Sequence, residues 1–182
     1  MTSTHPPDLD IPPEEPESPV YLIEDELGLA AEFICDDPRW GDLFTPSFRN
    51  MVGSALRDAL ATAGITRAEM TILLTDDDTL ASLNAEHRGK DRPTNVLSFP
   101  DHDDTYLGDI AMAFGVMARE ASDAGISMEH HGLHLIVHGV LHLIGHDHEN
   151  DEDANLMEGH EVAILARQGV ANPYTLLEKA EA

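Results

Sequence analysis

Residues 138–148 read HGVLHLIGHDH and hold four of the chain's 11 histidines. His138 and His142 stand four apart. On a helix that spacing sets their Cβ atoms about 5–6 Å apart, so two imidazoles can reach one ion. Gly145 follows where a left-handed cap would end the helix and turn the chain back. A third ligand, His146 or His148, can then return to the same ion. Zinc takes histidine nitrogens, and at catalytic sites three protein ligands leave a fourth position for water. A lone histidine on an apolar helix is usually a satisfied core residue; three with a turn glycine between them point to a metal.

Spacing separates the two candidates for third ligand. The stretch reads H-x-x-x-H-x-x-G-x-x-H, the ligand spacing of metzincin metalloproteases, and its last position is His148. His146 should therefore point elsewhere. His134, one turn before His138, could be an outer hydrogen-bond partner of a ligand, a substrate contact or a core histidine. Asp147 could orient a ligand imidazole, or be one more surface acid beside Glu149, Asp151, Glu152 and Asp153. The peptidase motif also requires a glutamate beside the first ligand as general base. That position is Gly139 here, which counts against peptide hydrolysis. A phosphodiester, with its better leaving group, suits a metal-activated water, provided that cations offset the charge building on the phosphate.

Those cations cluster elsewhere. Arg88, Lys90 and Arg92 are three of the chain's ten basic residues, and they fall within five positions. Pro93-Thr94-Asn95 follows as a rigid turn. A solvated loop is the ordinary reading of such a run. Beside a metal it becomes a phosphate-facing loop in which Arg88, Lys90 and Asn95 would bind substrate.

The elements that must position these groups can be read from periodicity. On a helix at about 100° per residue, His131, His134, His138, His142 and Gly145 share one stripe, and Leu133, Ile136, Val140, Leu143 and Ile144 cover the opposite side. A helix over 129–144 that is apolar nearly all round should be central and buried. Pro46 to Ala63 reads as an amphipathic helix stopped by Gly64. Met70 to Thr75 reads as a strand, with Asp76 to Asp78 capping a helix from Thr79 to His87. Val96–Phe99 and Gly108–Phe114 read as strands pairing across an acidic loop. Val20–Glu26 is a further strand, helices follow at 115–124 and 151–168, and Pro173 marks the end of packed structure. The expected fold is α+β: a small mixed β-sheet packed with helices around the histidine-bearing helix, with the metal in a cleft.

The chain has 182 residues, a net charge of −25 and one cysteine, Cys35. A lone cysteine excludes an intrachain disulfide and reads as a small buried hydrophobe. Residues 1–19 contain six prolines, five acids and no lysine or arginine, and are expected to be a disordered tail. Residues 20–182 should form a single domain. No secretory signal or membrane span is visible, so a cytoplasmic location is expected, with no membrane partner. The charge opposes nonspecific binding to nucleic acid, and DNA is not expected as a partner.

Three segments in order resemble the YbeY family of rRNA maturation factors, metal-dependent endoribonucleases. They are His87-Arg88-Gly89-Lys90-Asp91-Arg92-Pro93-Thr94-Asn95-Val96-Leu97-Ser98-Phe99-Pro100, Gly108-Asp109-Ile110, and the run from His138 to His148. The likeness extends through the acidic last helix to Asn172-Pro173-Tyr174. The resemblance implies one Zn2+ held by His138, His142 and His148, a functional arginine at Arg88, and an α+β fold with the metal in a cleft. It also implies cleavage of single-stranded ribosomal RNA at the 3′ end of 16S rRNA, in maturation of the small ribosomal subunit. His146 stands where the family usually has an aromatic residue, and the acidic tail is a second departure.

Two other readings share the metal. One is a degenerate metzincin-like peptidase or other metallohydrolase. The other is a non-catalytic ribosome-assembly factor with a structural metal, docking on the basic proteins of the small subunit. A structural site would need four protein ligands, and three are evident.

Overall fold

A computed structural model describes residues 18–101, 103, 105–148 and 150–175. Most of the acidic tail, residues 1–17, lies outside them. Ser18 and Pro19, read as tail, already run beside the sheet: the Pro19 carbonyl accepts from the Cys35 N–H at 2.8 Å.

Five strands form one mixed sheet. They are β1 (Val20–Glu24), β2 (Leu29–Cys35), β3 (Ala68–Thr75), β4 (Val96–Pro100) and β5 (Tyr106–Ala113), in the order β1-β2-β3-β5-β4. The central pairs β2–β3 and β3–β5 are parallel, and the edge pairs β1–β2 and β4–β5 are antiparallel. The predicted pairing of Val96–Phe99 with the strand after the acidic loop is present, with Val96 opposite Met112 and Phe99 opposite Asp109.

Alternation along the strands sorts side chains to two faces. Phe33, Ile72, Ile110 and Met112 pack with α1 (Pro46–Thr62) and α4 (Met128–Leu143). Leu97, Ala111 and Ala113 face the other way, onto Leu80 of α2 (Asp77–Arg88). Helices α3 (Phe114–Ala124) and α5 (Asp151–Arg167) flank α4. Cys35 is 2% exposed, and burial pushes its thiol up to about 11, as a core residue requires. Among the described residues no helix is long and apolar enough to cross a membrane.

The caps follow the expected chemistry. Thr45 accepts from Phe48 N at the start of α1, and Asp76 from Thr79 N at the start of α2. α4 is the buried centre, with Leu133, Ile136, Val137 and Val140 all at most 1% exposed. It lies against β4 and β5 through Gly139. A Cβ at this glycine would stand 2.9 Å from Ile110 Cδ1, 3.2 Å from Ile110 Cγ2 and 3.3 Å from Ser98 Oγ. The position where a peptidase carries its glutamate thus faces the sheet and has no room for a side chain. Gly139→Ala would gain about 1 kcal/mol of helix propensity. Overpacking a fully buried, β-branched isoleucine costs about 1–3 kcal/mol. The overpacking should win, lowering stability by about 1 kcal/mol in urea unfolding, with partial recovery in Gly139→Ala/Ile110→Val.

Candidate metal centre

α4 ends as its sequence requires. Gly145 has φ +96°, His146 N donates to Leu141 O at 2.9 Å, and Gly145 N donates to His142 O at 3.1 Å. This pair of bonds satisfies the last carbonyls and folds the chain back over the helix. It brings His148 beside His138 and His142, with ring centroids 5.7 and 5.0 Å away, while the latter two rings lie 4.6 Å apart. One ring nitrogen from each of the three lies within 4.8 Å of the others. His146 is not in this group; its ring packs on His160 at 4.9 Å.

The outer hydrogen bonds fix which nitrogens face inward. His142 Nδ1 lies 2.9 Å from the His146 carbonyl, which can only accept, so Nδ1 carries the hydrogen. His138 Nδ1 lies 2.8 Å from Glu161 Oε1 and donates likewise. Both Nε2 atoms are then left as lone-pair donors, 3.1 Å apart. Two lone pairs at that distance repel unless a cation sits between them. Four-coordinate zinc, at about 2.0 Å from each nitrogen, sets its ligand atoms about 3.3 Å apart. The donor set therefore fits a metal ion of this kind. Burial, reinforced by the neighbouring His138, lowers the His142 pKa and favours the neutral ring that a metal needs.

Glu161 is the group that sequence reasoning missed. It is fully buried on α5 and accepts from His138 Nδ1, from His134 Nε2 at 2.8 Å and from the Tyr174 hydroxyl. Burial works to raise its pKa, but the bonds from His134 and His138 outweigh that and hold it near 2. A readable signal existed: Met157, Glu161, Ile164 and Leu165 share the buried stripe of α5 at helical spacing, so one acid sits on an apolar face. Asp147, the acid singled out instead, accepts from the His148 N–H at 2.7 Å and bonds to no imidazole among the described residues. Pro173 does not end the packing, because Tyr174 beyond it reaches Glu161 and meets the His134 ring edge-on at 5.9 Å.

The basic loop follows α2. Gly89 (φ +66°) ends the helix in a left-handed cap, and Asn84, 3% exposed, donates to the Arg92 carbonyl at 2.7 Å to pin the loop. Arg39, Arg57, Arg119 and Arg167 are each paired with an aspartate. Arg88, Lys90 and Arg92 form no ion pair among the described residues and line one cavity of about 250 Å³. Asn95, at the edge of that cavity, donates to Glu120 at 3.0 Å and accepts from Val96 N at 2.7 Å, so its side chain is already engaged. Glu120 also meets His131 Nε2 at 2.8 Å. A second cavity, about 340 Å³, is lined by His134 and His138 and shares Asn95 and Glu120 with the first.

Comparison with known proteins points the same way. Residues 40–169 match the family model described as Endoribonuclease YbeY. A Rhodopseudomonas palustris protein of that name is 53% identical over 115 residues, which cover 59% of this chain and 60% of the relative. The chain thus spans less than two thirds of that relative's length, and the same holds for one from Rhodospirillum rubrum, 49% identical with 60% covered. A Maricaulis maris protein, also named Endoribonuclease YbeY, is 45% identical over 80% of this chain and 91% of its own. The solution structure of a Thermotoga maritima protein shares the fold, with a TM-score of 0.56 at 23% identity over 77% of this chain and 88% of that one. The model match covers most of the chain, and the Maricaulis alignment nearly all of its relative: this chain belongs to the YbeY family.

Proposed function

We propose that the protein is a zinc-dependent endoribonuclease that cleaves single-stranded RNA, in the cytoplasm, during maturation of 16S rRNA at its 3′ end. The observation that carries this reading is the pair of Nε2 lone pairs 3.1 Å apart, with a third imidazole beside them; the cavity that His138 lines shares Asn95 and Glu120 with the cavity of Arg88, Lys90 and Arg92. His138, His142 and His148 would hold the ion. When bound, zinc supplies Lewis acidity, activating water as nucleophile and drawing charge off the phosphate. Glu161 holds the His138 ring in its ligating tautomer and ties His134 to the same carboxylate. Asp147 steadies the third ligand through its backbone. Arg88 neutralises charge that develops on the phosphate, and Lys90 draws in the neighbouring phosphates of the strand. Asn95 and Glu120 shape the wall between the two cavities.

Three ligands support catalysis over a structural role. Among the described residues no fourth histidine, cysteine or carboxylate joins the cluster, whereas structural zinc takes four. The packing of Gly139 disfavours the peptidase alternative. The strong negative charge suits docking on basic small-subunit proteins, which would deliver the protein to its RNA despite mutual repulsion.

The test is metal removal. Stripping the protein with a chelator should abolish cleavage of a single-stranded RNA, and stoichiometric zinc should restore it, while a fully paired duplex is spared. Cleavage by metal-free protein would refute the proposal. Glu161→Gln should lower zinc affinity about 10–100-fold in competition against a chromophoric chelator. The amide keeps one acceptor but turns a second N–H donor against His134 or His138.

A further inference from the structure

The cavity lined by His138 and the one that shares Asn95 and Glu120 with it differ in chemistry. The larger runs from His138 past Leu135 to Ala124, Ile126 and Tyr174, and is chiefly apolar and aromatic. The smaller holds Arg88, Lys90 and Arg92. Asn95 and Glu120 line both and form the sill between them. A nucleotide is divided in the same way, into a flat apolar-faced base and a phosphate. At about 340 Å³ the larger cavity sits at the low end of small-molecule sites, with room for one nucleoside and not for a helix or a duplex. We infer that it seats the base of a nucleotide flanking the scissile bond, and that Glu120 discriminates among bases by accepting from an amino group. This rests on the nuclease reading above.

Glu120 is suited to the task because it is anchored and incompletely used. Its Oε2 takes His131 Nε2 at 2.8 Å and Asn95 Nδ2 at 3.0 Å. Its Oε1 meets Asn95 only at 3.3 Å. The side chain is 40% exposed, so a ligand can reach it. An ionised carboxylate only accepts. The bonds from His131 and Asn95 keep Glu120 ionised by lowering its pKa against the opposing effect of burial. Cytosine offers it a 4-amino donor, where uracil, of the same shape, offers a carbonyl oxygen that a carboxylate repels. Single-stranded RNA is read in this manner, with unstacked bases set against aromatic side chains and bonded along their edges.

The experiment uses zinc-loaded full-length protein and single-stranded RNA oligonucleotides in which each position around the cleavage site is cytosine or uracil in turn. One flanking position should favour cytosine over uracil by about tenfold in kcat/KM. Glu120→Gln, whose amide can donate to the uracil carbonyl, should reduce that preference to about twofold or less, with zinc content unchanged. Ala124→Trp, which fills the cavity, should raise KM and remove the preference at unchanged zinc content. Equal rates for both bases at every position, or a preference that survives Glu120→Gln, would overturn the inference while leaving the nuclease intact. Should no RNA be cleaved, the nuclease reading fails on its own. The cavity is then judged by the methyl resonances of Ile126 and Leu135. Larger shifts with cytidine 3′-monophosphate than with uridine 3′-monophosphate support it, and no shift with either refutes it.

Discussion

His142→Ala will remove tightly held zinc and RNA cleavage together. Apparent zinc affinities of about 10–16 kcal/mol are spread over four ligands at structural sites, so each ligand is worth roughly 2.5–4 kcal/mol. Losing one of three should weaken binding roughly 10²–10³-fold, and cleavage should fall to the level of chelated wild type. The fold should survive, because His142 is only half-buried and its helix is held by Leu133, Ile136, Val137 and Val140 on the other side. His146→Ala is the control. The His146 ring faces His160, and only its backbone carbonyl serves His142, so the substitution preserves that bond. Zinc content and activity should stay near wild type. Retained zinc in His142→Ala would remove His142 from the ligand set, and lost zinc in His146→Ala would reassign the third ligand.

Arg88→Ala should separate chemistry from metal binding. Arg88 lines the smaller cavity, which none of the three imidazoles lines, and among the described residues it forms no ion pair, so zinc content should not change. Removing a donor that is preorganised toward transition-state charge costs about 10²–10³ in rate, and kcat/KM should fall by that factor. Arg88→Lys should recover only part of it, because an ammonium keeps the charge and loses the planar fork that grips two phosphate oxygens. Raising salt should weaken RNA binding by wild type more than by the alanine variant. An Arg88→Ala protein as fast as wild type would make the loop an ordinary solvated one.

The parts of the site legible beforehand share one property: they are local. The histidine stripe, the Gly145 turn and the Arg88–Arg92 cluster each lie within one helix end or one loop, where spacing alone sets geometry. Glu161 reaches His138 from 23 positions away on another helix, one that opens on the acids Asp151, Glu152 and Asp153 and so reads as solvated surface. The apolar stripe of α5 marks Glu161 for burial, but the imidazoles it meets are decided by how α5 docks on α4, which no local rule encodes. Asn95 illustrates the converse. Its position at the cavity was legible, but its engagement with Glu120 on α3 was not. In the fold, the capped helices and the β4–β5 hairpin were readable. The strand β2 was not: LAAEFIC is rich in alanine, which strands disfavour, and it owes its place to burial of Leu29, Ala31, Phe33 and Cys35 between β1 and β3.

X-ray absorption at the zinc edge of the loaded, full-length protein reads the coordination of the ion itself. Three imidazole nitrogens at about 2.0–2.1 Å, completed by exchangeable solvent oxygen, is the predicted coordination. A fourth imidazole or a protein carboxylate in place of solvent, or no stoichiometric zinc at all, would contradict it.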